Sequence, residues 1–229
     1  MIFAQLQRRD RTGEDCVADN GVCPDWIADN FDRYVTPFWE HVYLTVVSVA
    51  IGFAIAFALA LVAHRRRWLI SPITQVTGIL YTLPSVAVFF LLLPITGRGK
   101  TTAIIALVGY SLLILFRNVI AGLENVPADA RDAGRGMGLT QRQLTWRVEL
   151  PLALPEIMAG LRIAVTTTVG LAALAFLAGA GGLGEAIFAD VNFRSNVLVA
   201  GGLAVGLAIV LDLLVLGVQR LITPWMRVT

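Results

Sequence analysis

Residues 42–63 read VYLTVVSVAIGFAIAFALALVA. These 22 residues carry no charge, and as a helix they span about 33 Å at 1.5 Å each, enough to cross the hydrocarbon core of a bilayer. The rest of the chain has the same character. Of 229 residues, 57% are hydrophobic and 15% are charged, where an average soluble domain is about 45–50% apolar and about 25% charged. Disordered, collagenous and disulfide-scaffold classes fail on the same numbers. A net charge of +2 supplies no basic field for nucleic acid. A zinc site built from Cys and His alone would need His41, His64, Cys16 and Cys23 together, at unsuitable spacing. No metal, cofactor or nucleic-acid partner is expected. The composition is that of an all-α integral membrane protein.

Four more apolar stretches follow, at 69–94, 101–123, 156–178 and 197–221. Arg117 interrupts the second of these, Arg162 the third, and Asp212 and Arg220 the fourth. The count is about five transmembrane helices. Pro84 breaks the 69–94 stretch, which is either one kinked helix or two shorter pieces.

Orientation follows from the flanks. His64-Arg65-Arg66-Arg67 follows the first span, Arg131, Arg135, Arg142 and Arg147 follow the third, and Arg220 and Arg227 close the chain. The opposite loops hold only Arg98, Lys100 and Arg194. By the positive-inside rule the Arg-rich side is cytoplasmic, which puts the N-terminus outside and the C-terminus inside. Residues 1–37 agree, with four Arg against seven Asp or Glu. They read as a polar extracytoplasmic extension, and 38–229 as the membrane domain. No apolar run lies near Met1, so the first span serves as the insertion signal.

An outside extension lies in an oxidising compartment. Cys16 and Cys23, with six residues between them, form either a small disulfide loop or two free surface thiols. Farther along, Trp26, Ile27, Phe31, Tyr34 and Phe38 recur at roughly helical spacing, which predicts a helix over 25–40 lying on the outer leaflet.

The most informative polar stretch is 125–156, NVPADARDAGRGMGLTQRQLTWRVELPLALPE. Pro127 suits a first helical turn, and Gly134, Gly136 and Gly138 then invite a bend. Thr140 with Gln143 makes a capping-box pattern opening a second short helix, which is predicted to stop before Pro151. The product is a helix-turn-helix knuckle at 125–151, just below the membrane and studded with Arg. It is too polar for lipid and too ordered for a linker, and it looks like a docking element for a soluble partner.

The spacing of Asp132-Ala133-Gly134, Gly138, Val148 and Leu150-Pro151 resembles the EAA loop of bacterial ABC-importer permeases. That pattern is Glu-Ala-Ala, three residues, Gly, nine residues, Ile, one residue, Leu-Pro. Asp132 replaces Glu, Gly134 replaces the second Ala, and Val148 replaces Ile. The stretches YTLPSVAVFFLLLPITGRG at 81–99 and LAGAGGLGEAIF at 177–188 are similar to the short permeases for glycine betaine, choline and related osmoprotectants. Methionine-importer permeases share the architecture. The resemblance covers roughly 30–225 and leaves both cysteines without a counterpart.

The resemblance implies a MetI-like fold and a multi-pass place in the bacterial cell membrane. It implies a path for glycine betaine or choline, or alternatively for methionine or another small solute. It also implies partners: two ABC ATPase subunits gripping the knuckle at Asp132, Ala133, Gly134, Arg135, Gly138, Val148, Leu150 and Pro151, a second permease subunit (identical or paralogous), and an extracytoplasmic substrate-binding protein. That protein is expected to meet the loop formed by Gly179–Gly184 with Glu185, Asp190 and Arg194. A partner-free channel or secondary transporter would explain the spans but not the knuckle.

Catalysis has little support. Gly97-Arg98-Gly99-Lys100-Thr101-Thr102 imitates the end of a phosphate-binding loop, but Pro94 stands where its first Gly belongs. ATP hydrolysis is therefore assigned to a separate subunit. Among the charges inside the spans, Arg162 and Asp212 fall at a similar depth in the inner third. They either pair across adjacent spans, with Arg117 as a competitor for Asp212, or the arginines snorkel to the headgroups. The small residues Ala172, Ala173, Ala175, Ala178, Gly179, Gly201, Gly202 and Gly206 read as close helix contacts.

Overall fold

Proline and glycine punctuate a chain that is otherwise almost continuously helical. The computed structural model describes residues 16, 17 and 20–224. The start of the polar extension, with Arg8, Arg9 and Arg11, and the C-terminal Arg227 lie outside the described residues.

Helix α1, Pro24–Asp29, has Pro at its first position and Asp25 in its first turn, both favoured at a helix N-terminus. A 3-10 turn, Phe31–Tyr34, leads into α2, Val35–Arg65. The helix predicted over 25–40 is thus a short helix, a tight turn and the start of the first span. Next come α3, Ile70–Thr82, and α4, Ser85–Thr96, bent by 97° at Leu83-Pro84. Pro84 drives this break, because Leu83 must leave the helical region before a proline and is extended at ψ 137°. The freed Leu83 carbonyl accepts a hydrogen bond from the Tyr110 hydroxyl at 2.7 Å, as an apolar surround demands.

Helix α5, Lys100–Glu124, leads through Pro127 into α6, Ala128–Gly136. A turn at Gly138 gives α7, Gln141–Leu144, a π-turn, Thr145–Glu149, and α8, Leu150–Ala172. The last three run on without a break, so the helix does not stop before Pro151. Pro151 lacks an N–H, and the turn ahead of it is widened, with the Leu150 N–H bonding the Thr145 carbonyl. Helix α9, Leu183–Ala189, and α10, Arg194–Ile222, complete the chain.

Among the described residues three helices, α2 with its preceding turn, α5 and α10, are long and apolar enough to cross a membrane, and the bent pair α3/α4 adds a fourth if it is one broken span rather than a re-entrant loop. Helix α8 covers most of the remaining expected stretch, starting at Leu150 and ending at Ala172.

Helix α5 is the centre, packed by α2, α8, α3 and α4, while α10 leans on α8 and α9. Lipid gives no hydrophobic drive between helices, so close approach must hold them. Gly160 of α8 sits beneath Asn118 of α5, with no room for a side chain. Ala172, Ala175 and Ala178 are wholly buried. Within the single chain Gly201, Gly202 and Gly206 make no close helix contact, since a methyl group on any of them meets nothing within 4 Å. They lie on α10, which also exposes Val205, Ile209, Val210, Leu213 and Leu214.

Candidate functional site

The knuckle is a small folded unit. Pro127 precedes α6, and Arg131, one turn in, donates to the carbonyls of Leu123 and Glu124 that end α5. Those carbonyls have no helical partner of their own. Gly138 turns the chain at φ 78°, a left-handed conformation that favours glycine. Thr140 and Gln143 then cap α7 reciprocally, the Gln143 backbone N–H bonding the Thr140 hydroxyl and the Thr140 backbone N–H bonding the side-chain amide oxygen of Gln143. Leu144 is fully buried against Gly134, with Leu139 and Val148 beside it. A larger residue at 134 would displace Leu144, which gives Gly134 a reason beyond flexibility.

What remains outside is a polar surface with an apolar tip. Asp132 and Arg135 pair at 3.2 Å on the exposed face. Ala133, Gly136 and Gly138 are exposed, Met137 is 72% exposed, and Trp146 is half exposed. Leu150 is buried and Pro151 only partly so, below the knuckle's core. Between the knuckle and the end of α2 lies a cavity of about 780 Å³, lined by five arginines, among them Arg65 and Arg142, against the carboxylates of Asp132 and Glu149.

Glu149 is the residue that sequence reasoning passed over. It is 2% exposed and collects three donors: the Thr145 hydroxyl at 2.9 Å, the His64 ring Nε2 at 3.0 Å and the Arg131 Nε at 3.1 Å. Burial pushes its carboxyl up, but the Thr145, His64 and Arg131 bonds together outweigh that and hold it below the ordinary carboxylate range. The sequence signal was a carboxylate between apolar Val148 and Leu150, next to a proline at the foot of a span.

Within the bundle, Arg162 of α8 lies beside Asp212 of α10, its Nε 2.8 Å from Oδ1 and its Nη2 2.7 Å from Oδ2. Arg117 makes no ion pair among the described residues and is exposed.

At the opposite end, Cys16 and Cys23 are joined as a disulfide, and the extension is stitched to the top of α10. Asn20 bonds Asn192 and Arg194, Ser195 bonds Cys23 and Gly21, and Tyr34 bonds Asn196 at 2.7 Å. Trp26 meets Phe193 edge-on at 4.6 Å. The segment 180–184 is buried, because Gly181 and Gly182 tuck against α2 and Gly184 against the Ala173 backbone. The Gly182 N–H bonds Glu40, and the Leu183 N–H bonds Nδ1 of His41, whose Nε2 reaches the Val169 carbonyl. Of the expected outer loop, Gly179 and the part around Glu185, Asp190 and Arg194 are exposed. The phosphate-loop mimic is part of the same scaffold: the Gly99 N–H bonds the Ala178 carbonyl, and Lys100 pairs with Glu40 at 3.0 Å.

Comparison with known proteins places this geometry. The choline transport system permease protein OpuBB of Bacillus subtilis (strain 168) is 36% identical over 188 residues, covering 81% of this chain and 87% of that one. The osmoprotectant import permease protein OsmW of Salmonella typhimurium is 36% identical over 207 residues, covering 87% and 96%. An inward-facing structure of the MetNI methionine ABC transporter matches with a TM-score of 0.70 at 24% identity, over 83% of this chain and 94% of that one. That likeness shows the fold. Residues 48–228 match the family described as binding-protein-dependent transport system inner membrane component, and the chain belongs to that family.

Proposed function

We propose that the chain is the permease subunit of an ATP-driven importer for osmoprotectants such as choline or glycine betaine. The observation that carries this reading is 36% identity, over 81–87% of the chain, to two permeases named for choline and osmoprotectant transport. In this reading the chain crosses the membrane five times, α8 included, with the knuckle in the cytoplasm and the disulfide end outside. Two such subunits, identical or paralogous, enclose the path. Two ATPase subunits seat the knuckle around Met137 and the Asp132–Arg135 pair. A substrate-binding protein delivers solute to the exposed segment 185–194. The chain supplies a two-state path and its lever, and its partners supply recognition and energy.

Reconstitution with the cognate ATPase and binding protein in vesicles tests this. ATP-dependent uptake of radiolabelled choline and glycine betaine is expected, with methionine excluded. Uptake of methionine alone, or full uptake with the ATPase omitted, overturns the reading.

A further inference from the structure

We infer that Glu149 is the coupling hub of the transporter: a positioning carboxylate that locks the knuckle to three transmembrane helices so that they move together. This inference rests on the permease reading above and names residues that the EAA-type spacing does not include.

The geometry makes one buried carboxylate a four-way junction. Oε1 accepts from Arg131 on α6, and Oε2 accepts from His64 at the foot of α2 and from Thr145 in the π-turn. Arg131 extends the junction to α5 through the carbonyls of Leu123 and Glu124. Glu149 itself sits at the junction of the π-turn with α8. Knuckle, α2, α5 and α8 therefore meet on Glu149 and its partner Arg131, and the carboxylate is only 2% exposed.

A motor pulling on α6 cannot move it alone. Displacing Arg131 by an ångström or two breaks the guanidinium's bond to a buried carboxylate and leaves it His64 and Thr145 alone, and a less fully paired charge away from water is disfavoured. Moving the four elements as one body preserves every bond. The junction thus favours two discrete arrangements over gradual deformation, which is what energetic coupling between sites requires. The π-turn fits the same role. Such widened turns recur at functional sites, and this one brings Glu149 to face Thr145 while letting the helix run on through Pro151.

The test compares solute taken up per ATP hydrolysed, a ratio that simple misfolding does not change. The full complex, in vesicles with its ATPase and binding protein, is prepared as wild type, Glu149→Gln, His64→Leu and His64→Gln. Glu149→Gln is expected to assemble and hydrolyse ATP within about twofold of wild type, while uptake per ATP falls about tenfold, within the range typical of inter-site coupling. His64→Leu shifts the ratio in the same direction, and His64→Gln, which keeps an N–H donor, restores it. An unchanged ratio in Glu149→Gln, or uptake and hydrolysis falling in parallel, overturns the inference. If Glu149→Gln does not assemble, the His64→Leu to His64→Gln comparison decides on the same criterion. A wild-type complex with no ATP-driven uptake overturns the permease reading instead.

Discussion

Arg162 and Asp212 face each other across helices α8 and α10 through two parallel hydrogen bonds, at 2.8 and 2.7 Å. The planar guanidinium and the carboxylate match in fork geometry, which fixes both rotation and height of the two helices. Helix α10 is otherwise lightly held: only 17% of its most apolar window is buried, against 56% for α5. The pair and the disulfide-end stitching are specific attachments of this helix.

Reversing the charges should reveal this dependence. Arg162→Asp and Asp212→Arg each leave two like charges facing in an apolar surround, and each should cut uptake roughly tenfold or more. The double exchange restores opposite charges and should recover a large share. A double variant no better than either single one would show that complementarity is not what matters there.

The Glu149 junction predicts an acid sensitivity. Its folded carboxyl titrates below the ordinary range, so its stabilising contribution is complete above the unfolded value of about 4.3 and is lost as pH falls through the lower folded value. The melting temperature of wild type should exceed that of Glu149→Gln near neutrality, and the gap should close on acidification through that window. Arg131→Met, which removes the guanidinium from a buried ion pair, should cost up to about 3–5 kcal/mol at neutral pH. A gap independent of pH would contradict the assignment.

Reducing the Cys16–Cys23 bond should loosen the extension without unfolding the bundle. Closing so short a loop is worth about 2–3 kcal/mol on chain entropy. Ser195→Ala removes a hydroxyl that both accepts from the Cys23 N–H and donates to the Gly21 carbonyl, leaving a buried donor unmet at about 1–3 kcal/mol. Either change should speed proteolysis within 20–34, as read by mass spectrometry, while the helical content holds.

Two glycines separate packing from exposure. A methyl group at Gly184 collides with the Ala173 backbone carbonyl, and Gly184→Ala should destabilise by about 1–3 kcal/mol as overpacking does. Gly202→Ala adds a methyl where nothing lies within 4 Å, and on helix propensity it should stabilise the single subunit by about 0.5–1 kcal/mol. Thermal melts of the purified subunit in detergent check both signs.

Gly138 carries the turn at φ 78° with open space around it. Gly138→Asp should therefore leave insertion intact and, by straining and charging the docking tip, abolish ATP-driven uptake. Normal uptake by that variant would remove the knuckle from the coupling route.

Local rules read this sequence well where local physics decides. The uncharged run at 42–63 announces a membrane helix, and Thr140 with Gln143 announces a cap because both partners lie within one turn. The Pro84 break is legible as a break, although the partner of the freed Leu83 carbonyl, Tyr110, lies 27 positions on. Depth arithmetic set Arg162 and Asp212 at one level, but only the docking of α8 against α10 decides that they face. Proline rules failed at Pro151, since a π-turn absorbs the missing N–H there. Glu149 escaped notice, and His64 and Arg131 read only as flank charges, because the contacts that join them cross between separate helices. The stitching of Cys23 to Ser195 and Tyr34 to Asn196 joins positions 172 and 162 apart, beyond any local pattern.

The unbroken helical run from Gln141 to Ala172 is about 48 Å long. A stiff cylinder of that kind transmits torsion as well as thrust. A small roll of its lower end swings every side chain along its length through the same angle, Arg162 among them. A twist at Gln141 can thus reach Ala172, much as a key turns a bolt through the thickness of a door.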